Sequence, residues 1–390
     1  MNNNKKKNRV FTWSAFAVAC VAFSTHVGAG FAAGAQEVIY FTGKGWFGPL
    51  MPLITLIILL PLQYVAVETA RVNKAYNYKE MTMKAYAPFG NIGSILFEVG
   101  IVLMMLSSCA SVIAGGGTII NGVLGLDEAN LIGTVIVAAI IVVIIVFGYK
   151  AVSSASTIMT VGIIITISIL VITGIIYSKD TIALQWSEKI SHNGFGNALW
   201  YAALYAGMQC MTQCMSICSN CEKIQSRGES KAMVAIEFVI NATMLIGICF
   251  LFQGFMPEIM DVTLPTPYTA EIVGQAMGLA WLGIVYPILY LLAALTTGVN
   301  NVFGFTKRIT DIDKFKAKVP SEKKRNLVVS VVCIVLCWGV AQIGFITIVK
   351  TLYSYVSAYS IFAIIIPMII LGLRNLKKAK AAETAAAVGE

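Results

Sequence analysis

The sequence predicts an all-α membrane protein with ten transmembrane helices, arranged as two inverted sets of five. Hydrophobic residues make up 58% of the 390 residues and charged residues only 12%, whereas an average soluble domain carries about 25% charged residues. The apolar residues also form long blocks, such as the charge-free Leu131–Phe147, of the length that a bilayer-spanning helix requires.

Ten hydrophobic segments are the candidate spans, and the first and sixth are expected to be interrupted. They are residues 11–41, 47–68, 92–116, 131–147, 155–177, 198–219, 232–253, 268–305, 326–344 and 351–373. The first five spans would form one repeat (residues 1–190) and the last five a second (residues 191–373), followed by a tail at 374–390. Because five is odd, the second repeat must cross the membrane in the opposite direction to the first.

The basic residues predict the orientation of these spans. With the N-terminus on the cytoplasmic side, all but four of the 28 Lys and Arg residues fall on the cytoplasmic tails and loops. The four exceptions are Lys44, Lys179, Lys189 and Lys350. Cytoplasmic loops of membrane proteins carry such an excess of basic residues, so both termini are expected in the cytoplasm. The net charge of +9 is thereby explained without a nucleic-acid partner.

Glycines near the middle of spans one and six suggest broken helices. Gly28 and Gly30 lie within a segment too long for one straight crossing, and Gly207 lies in the middle of span six. Glycine costs about 1 kcal/mol in a helix interior, and unwound backbone is tolerated in a membrane only where it lines a cavity. Close packing of helices through small residues is the alternative explanation.

Motifs in spans one and two resemble those of a known superfamily. Residues 28–37 read Gly-Ala-Gly-Phe-Ala-Ala-Gly-Ala-Gln-Glu and residues 45–49 read Gly-Trp-Phe-Gly-Pro, with Pro61 and Glu68 following in span two. This pattern resembles the neurotransmitter:sodium symporters and other LeuT-fold transporters, and is still closer to the YkvI-type bacterial membrane proteins. The resemblance implies a multi-pass secondary transporter of the bacterial inner (cytoplasmic) membrane that works by alternating access. It implies no enzymatic activity.

Span eight carries a third motif, Ala-Ala-Leu-Thr-Thr at residues 293–297. In sodium-coupled members the similar segment contributes to a sodium site, and oxygen ligands suit such a hard cation. The ligands implied by the resemblance are the carbonyls of Ser24, Val27 and Ala293 and the hydroxyls of Thr296 and Thr297. The alternative is that the two threonines only hydrogen-bond to carbonyls of their own helix.

Sodium is favoured over the proton as the coupling ion. In some amino-acid transporters that this chain resembles, a lysine in span five replaces the sodium. Span five of this sequence has no ionisable side chain except Tyr177 at its end. We therefore expect Na⁺ as the coupling ion and no covalent cofactor.

The expected substrate is an amino acid or a related zwitterion or amine. Backbone amides freed at Gly28, Ala29 and Gly30 would suit a carboxylate, and Tyr201 and Tyr205 offer aromatic surface for a cationic head. Ionisable residues inside a membrane are functional candidates by default. The remaining candidate substrate-binding residues are His26, Glu37, Ser107, Ser111, Gly207, Met208 and Gln209. For His26 a structural hydrogen bond is the alternative, and for Glu37 a gate or a pairing with another helix.

Two further functions stay open from the sequence. Cys210, Cys214 and Cys218 repeat every four residues, beside several methionines, and such soft ligands suit copper(I) or zinc in a metal carrier. The Asp-Pro-Gly-Asn pattern of metal carriers is absent from span one, and a small apolar stripe for helix packing is the favoured explanation of the cysteines. A non-transporting receptor on a transporter scaffold is the other alternative. The expected partners are the lipid bilayer and a small-molecule substrate, and the sequence leaves the oligomeric state open.

Overall fold

The computed structural model describes residues 11–147, 149–310 and 312–388. Over these residues the chain is almost entirely helical, and β-structure is limited to one isolated antiparallel bridge between Gly45 and Ser191. The described part of the chain therefore confirms the prediction of an all-α protein.

Nine α-helices form the described part of the first half, and the first three replace the predicted span one. They are α1 (Trp13–His26), α2 (Ala29–Ala33), α3 (Ala35–Tyr40), α4 (Met51–Asn73), α5 (Tyr78–Ala85), α6 (Gly90–Val123), α7 (Leu131–Phe147), α8 (Tyr149–Tyr177) and α9 (Lys179–Ser187). Two short 3-10 turns, Thr42–Lys44 and Gly48–Leu50, connect α3 to α4.

The described part of the second half also contains nine α-helices, with π-helical segments near its end. They are α10 (Phe195–Asn220), α11 (Arg227–Gln253), α12 (Pro265–Ala276), α13 (Trp281–Thr310), α14 (Asp313–Lys318), α15 (Glu322–Ala341), α16 (Phe345–Thr347), α17 (Tyr353–Ser360) and α18 (Ile366–Val388). The π-helical segments Ile348–Leu352 and Ile361–Ile365 flank α17, so α16 to α18 run as one long rod.

Several of these helices are long and apolar enough to cross a membrane. Within the described residues, six meet both criteria: Gly48–Asn73, Gly90–Val123, Arg227–Gln253, Trp281–Thr310, Glu322–Ala341 and Phe345–Ala382. The pair formed by α8 and α9, bent by 67°, would be a seventh, and α1 and Leu131–Ile145 are apolar but shorter. The chain is therefore a multi-pass helical membrane protein.

The predicted interruption of span one is confirmed. Helix α1 ends at His26, and Val27 leaves the helical conformation with a ψ of 58° before α2 begins. Gly34, in the left-handed conformation with a φ of 82°, separates α2 from α3. A side chain at Gly34 would collide with Phe252 and Thr266, so this second break needs glycine both for its conformation and for its packing.

The predicted interruption of span six is wrong. Helix α10 runs unbroken from Phe195 to Asn220, through Gly207. A Cβ atom placed on Gly207 would lie 2.3 Å from the carbonyl oxygen of Ser357. Gly207 therefore lets the backbones of α10 and α17 approach closely, which is the packing use of glycine in membrane helices.

Replacing Gly207 with alanine is expected to destabilise the protein by about 1–3 kcal/mol, the usual cost of forcing a methyl group into a packed interior. The colliding atoms belong to backbone, which cannot swing away as a side chain would. Thermal melting in detergent measures the effect. The matched control is Gly339→Ala, because Gly339 is a glycine of α15 with open space around its Cβ position. It should melt no lower than the wild type, since alanine is the better helix former. Equal melting temperatures for both variants would contradict this account of Gly207.

Two predicted boundaries also need correction. The predicted span eight, 268–305, is two helices, α12 and α13, with Gly278 at a φ of 72° in the connection between them. Left-handed backbone of this kind ends a helix. Hydropathy does not report backbone conformation, so the prediction ran the two helices together. The predicted tail 374–390 is helical as far as Val388, since α18 continues into it.

Candidate functional site

A cavity of about 780 Å³ adjoins the break between α1 and α2. Its wall is built from the break itself and from parts of α1, α6, α8, α10, α11, α13 and α17. Cavities of 300–1,000 Å³ are typical for small-molecule sites. The size and the position of this cavity therefore make it the candidate binding site.

The break supplies exposed backbone to the cavity. Gly28, Ala29 and Gly30 line it, and the amides of Ala29 and Gly30 begin α2, so they have no acceptor within the helix. Space around the Cβ position of Gly28 is open, whereas a Cβ on Gly30 would meet the side-chain amide of Gln36. Gln36 also lines the cavity, so Gly30 makes room for a polar side chain at the break.

All five residues of the predicted sodium site line this cavity: Ser24, Val27, Ala293, Thr296 and Thr297. The hydroxyl of Ser24 donates to the carbonyl of Val21 at 2.9 Å, and that of Thr296 donates to the carbonyl of Ala293 at 3.0 Å. The hydrogen bond within the helix that was the alternative for the two threonines is thus present for Thr296, on α13. A hydroxyl that donates a hydrogen bond and a carbonyl that accepts one each keep a free oxygen lone pair. The Thr296 hydroxyl and the Ala293 carbonyl can therefore still ligate a cation.

Only five of the twelve predicted substrate-binding residues line the cavity: His26, Gly28, Ala29, Gly30 and Gln209. The other seven are not among its lining residues. They are Glu37, Ser107, Ser111, Tyr201, Tyr205, Gly207 and Met208. The two groups differ in whether the side chain faces the cavity. That depends on how each helix is rotated and placed, and a uniformly apolar span has no hydropathy pattern that reveals it.

Ser107 and Tyr201 are two of the seven residues that make contacts elsewhere. Ser107 donates to the carbonyl of Leu103 within α6 at 2.8 Å. The ring of Tyr201 lies 3.2 Å from the ammonium of Lys44 and packs against the ring of Tyr40. Tyr201 therefore contacts the segment around Tyr40 and Lys44 instead of the cavity.

Several polar residues of the cavity wall were not predicted from the sequence. They are Thr25, Gln36, Thr212, Asn300, Asn301 and Tyr353. The Asn301 amide donates to the hydroxyl of Ser108 at 3.0 Å, which joins α13 to α6. The Asn300-Asn301 pair inside an otherwise apolar span could have indicated this polar wall, because uncharged polar side chains in a membrane helix need partners.

One end of the molecule is closed by aromatic rings. Trp46 contacts Trp186 edge-on at 5.1 Å, and Phe47 contacts Phe195 at 5.4 Å. The amide of Gln253 donates to the carbonyl of Trp46 at 3.0 Å. Burial, together with the charge of Lys350, lowers the pKa of nearby Lys44 to about 8. We call this the aromatic end.

The other end carries ion pairs. Glu68 is fully buried and accepts hydrogen bonds from Arg71, Arg227 and Ser230, at 2.7, 3.1 and 2.8 Å respectively. These contacts hold the end of α4 against the start of α11. We call this the charged end.

The cavity extends from the break toward the charged end. Arg308 pairs with Glu98 at 2.8 Å and lies 4.0 Å from the sulfur of Met215, which lines the cavity. The cavity is thus bordered by ionic contacts, whereas the aromatic end is sealed.

His26 joins the cavity to a buried chain of hydrogen bonds. Its Nε2 lies 3.0 Å from the hydroxyl of Tyr205, which donates to Oε1 of Glu37 at 3.1 Å. On the other side, Nδ1 of His26 lies 2.8 Å from the amide nitrogen of Gln213, whose oxygen accepts from Gln63 at 2.7 Å. His26 and Glu37, the two ionisable candidates of the first span, are therefore linked through Tyr205 of α10.

The nine cysteines are free, and eight of them are buried. Cys210, Cys214 and Cys218 have no exposed surface and do not line the cavity. Cys20 is partly exposed and lines it. The described residues contain no group of three or more His, Cys, Asp or Glu side chains placed to hold a metal ion.

Comparison with known proteins gives one similar sequence and several similar structures. No family model matches the chain. The uncharacterized membrane protein YkvI of Bacillus subtilis (strain 168) is 23% identical over 358 residues, which cover 90% of this chain and 95% of YkvI.

Three solved structures superpose on nearly the whole chain. MhsT in complex with L-phenylalanine gives a TM-score of 0.54 at 14% identity, covering 93% of this chain and 97% of MhsT. The inward-facing conformation of Mhp1 gives 0.54 at 13% identity, covering 89% of this chain and 73% of Mhp1. The manganese transporter of Eremococcus coleocola gives 0.53 at 15% identity, covering 91% of this chain and 78% of that transporter.

These similarities, together with the break in the first span, confirm the fold that the sequence motifs suggested. The chain has the LeuT fold.

Proposed function

We propose that this protein is a secondary transporter that carries a small organic solute by alternating access, with sodium as a coupling ion. The observation that carries the proposal is the cavity at the broken first helix of a LeuT fold. A site that is sealed at the aromatic end and extends toward the charged end is what one state of an alternating-access cycle requires.

The topology we propose has ten crossings, made of inverted repeats at 1–190 and 191–373. In this arrangement α1 to α3 count as one span, α8 with α9 as another, and α16 to α18 as the last. The basic loops would then lie in the cytoplasm together with both termini. The charged end would face the cytoplasm of a bacterial cell, and the cavity would be open inward.

We propose an amino acid, or a related zwitterion or amine, as the solute. The amides of Ala29 and Gly30 offer donors for a carboxylate, and the side chains of Gln36, Gln209 and Asn300 give the same wall further polar groups. MhsT holds L-phenylalanine, and a structure of Mhp1 holds bromovinylhydantoin. Both are small organic molecules, which supports a solute of this class.

A transition-metal carrier is the second candidate, favoured by the similarity to the manganese transporter. In this chain the cavity wall offers the soft atoms of Cys20, Met104, Met215 and Met244 beside His26. A hard cation such as Mn²⁺ prefers carboxylate and carbonyl oxygens, and no Asp or Glu of the described residues lines the cavity. The organic solute is the better supported of the two.

A ligand screen by thermal shift tests the proposed function. Purified protein is melted in the presence of amino acids, amines or MnCl₂, each in sodium chloride and in choline chloride. A symporter should be stabilised by one organic solute, and more strongly in sodium. Stabilisation by MnCl₂ alone would favour the metal carrier. A solute that binds without uptake into proteoliposomes would indicate a receptor.

Thr296→Ala combined with Thr297→Ala is expected to abolish the stabilisation by sodium. If sodium binds the native state at 100 times its dissociation constant, it contributes about 2.7 kcal/mol, and this contribution should disappear with the two hydroxyls. Thr243→Ala is the matched control, because Thr243 is an exposed threonine of α11 that bonds within its own helix. A double variant that keeps the full sodium response would overturn the proposed sodium site.

A further inference from the structure

Glu37 is a buried carboxyl group without a counter-cation. It has no exposed surface, it accepts one side-chain hydrogen bond, from Tyr205, and its Oε2 has no partner among the described residues. The ion pairs of the described residues involve Glu68 and Glu98 instead. An ionised carboxylate in such surroundings lacks the partners that would offset its desolvation, so the group is stable there as a neutral acid.

Among the residues that the structure describes, none places a charge beside Glu37. The titratable groups that face it are the uncharged Tyr205, Cys249 and Tyr286, from α10, α11 and α13. Charged residues occur on the short elements packed around α3, but they point elsewhere. Lys44 lies over Tyr201, whereas Lys350, Glu258, Asp261 and Glu271 are exposed.

The hydrogen bonds of the chain all point in one direction. The Gln213 oxygen is occupied by the Gln63 amide, so the Gln213 nitrogen donates to Nδ1 of His26. In the neutral imidazole the proton then lies on Nε2, which donates to Tyr205, and Tyr205 donates to Glu37. His26 lines the cavity. A continuous chain of exchangeable protons therefore joins His26, in the wall of the cavity, to Glu37.

We infer that Glu37 is a proton-carrying site of the transport cycle, in exchange with the cavity through His26 and Tyr205. This inference rests on the proposed transport function and adds the proton to sodium as a coupling ion.

The proton step balances over three bonds. A hydronium ion of the cavity gives its proton to Nδ1 of His26 while Gln213 turns its amide away. The Nε2 proton passes to the oxygen of Tyr205, and the hydroxyl proton of Tyr205 passes to the carboxylate of Glu37. His26 ends neutral with its proton on Nδ1, Glu37 ends as a neutral acid, and water remains in the cavity. The reverse order returns the proton.

The position of Glu37 explains how the proton would cross the membrane. Glu37 lies on α3, next to the aromatic end, whereas His26 lies at the cavity on the other side of the break. Opening of the aromatic end would bring water to Glu37 from the opposite side of the membrane. One protonation site would then be accessible from each side in turn, which is the condition for coupling proton movement to the cycle.

Infrared spectroscopy tests the protonation without any knowledge of the solute. Purified protein at pH 7 is compared with Glu37→Gln, and the carbonyl band of protonated carboxylic acids is measured. The band should lose the contribution of one carboxyl group in Glu37→Gln, and Tyr205→Phe should shift that contribution because the hydrogen bond is lost. Tyr205→Phe keeps the ring, so it serves if Glu37→Gln does not fold. A folded Glu37→Gln with an unchanged band, or a band unmoved in Tyr205→Phe, would overturn the inference.

Deuterium exchange tests the path through His26. In the wild type, the Glu37 band should shift soon after transfer to D₂O, whereas in His26→Phe the shift should be at least ten times slower. His192→Phe is the control, because His192 is exposed at the aromatic end, and it should exchange as the wild type does. Equal exchange rates in His26→Phe and the wild type would contradict the path.

Proteoliposomes test the coupling. Vesicles containing a pH-sensitive dye receive an external mixture of the twenty amino acids, labelled for uptake, and internal pH is recorded together with uptake. We expect uptake with acidification in the wild type, and loss of the acidification in Glu37→Gln. Uptake with no pH change in the wild type would overturn proton coupling while leaving the proposed transport intact. If no solute of the screen is taken up, the proposed function is contradicted. The infrared test of Glu37 protonation does not depend on uptake and would still decide that point.

Discussion

Glu68→Ala is expected to destabilise the protein by about 3 kcal/mol, the lower end of the cost of breaking a buried ion pair. Glu68 has no exposed surface and accepts hydrogen bonds from Arg71, Arg227 and Ser230. Its removal leaves two guanidinium groups without this acceptor, between α4 and α11. The cost is at the lower end of the range because both arginines are partly exposed, with 17% and 27% of their side-chain surface, and can turn toward water.

Thermal melting or denaturation by a detergent titration measures this loss. Glu222→Ala is the matched control, because Glu222 lies near the same end of the molecule but is exposed, and exposed charges contribute little to stability. Glu68→Gln should fall between the two, since the amide keeps the shape and some hydrogen bonds but not the charge. A Glu68→Ala variant as stable as Glu222→Ala would show that the network does not hold the charged end together.

Gly28→Trp is expected to reduce solute uptake at least tenfold while leaving the melting temperature close to that of the wild type. Gly28 has a φ of −86° and a ψ of −171°, an extended conformation that any residue adopts. No atom lies within 4 Å of its Cβ position, and the residue lines the cavity. An indole group there would occupy the space in which the solute is proposed to bind.

Gly339→Trp is the control for this experiment, because it adds the same side chain in open space on α15, away from the cavity. Uptake into proteoliposomes and ligand-induced thermal shift are measured for both variants. A wild-type uptake rate in folded Gly28→Trp would contradict the assignment of the cavity as the solute site. A variant that melts early would instead show that the break cannot accept a side chain.

The sequence predicted the break in the first span, but it did not show which residues around the break face the cavity. Gly28 and Gly30 indicated unwound backbone because a glycine pair weakens a helix wherever it stands. The same reasoning applied to Gly207 gave a wrong result, since that glycine serves the contact between α10 and Ser357. A single glycine costs the same in both cases, and only the position of the neighbouring helix distinguishes an interruption from a packing site.

For the residues of the site as well, the sequence showed single-residue properties but not the contacts between them. His26 and Glu37 attracted attention as ionisable groups inside a membrane, which is a property of each residue alone. Their connection runs through Tyr205, which is 179 positions from His26 and 168 from Glu37. Tyr205 was predicted to bind the substrate because its ring offers aromatic surface, but its hydroxyl is buried between the other two groups.

By itself the sequence determined that this is a multi-pass helical membrane protein with a break in its first span, and its motifs suggested the LeuT fold. Hydropathy and glycine content are local properties, and the bilayer allows few structures that satisfy the backbone within each segment. Only the tertiary structure decided that α10 is continuous, which polar residues face the cavity and which are joined in the buried chain. Those outcomes depend on the rotation of each helix about its axis and on contacts between residues far apart in the chain, which no local pattern records.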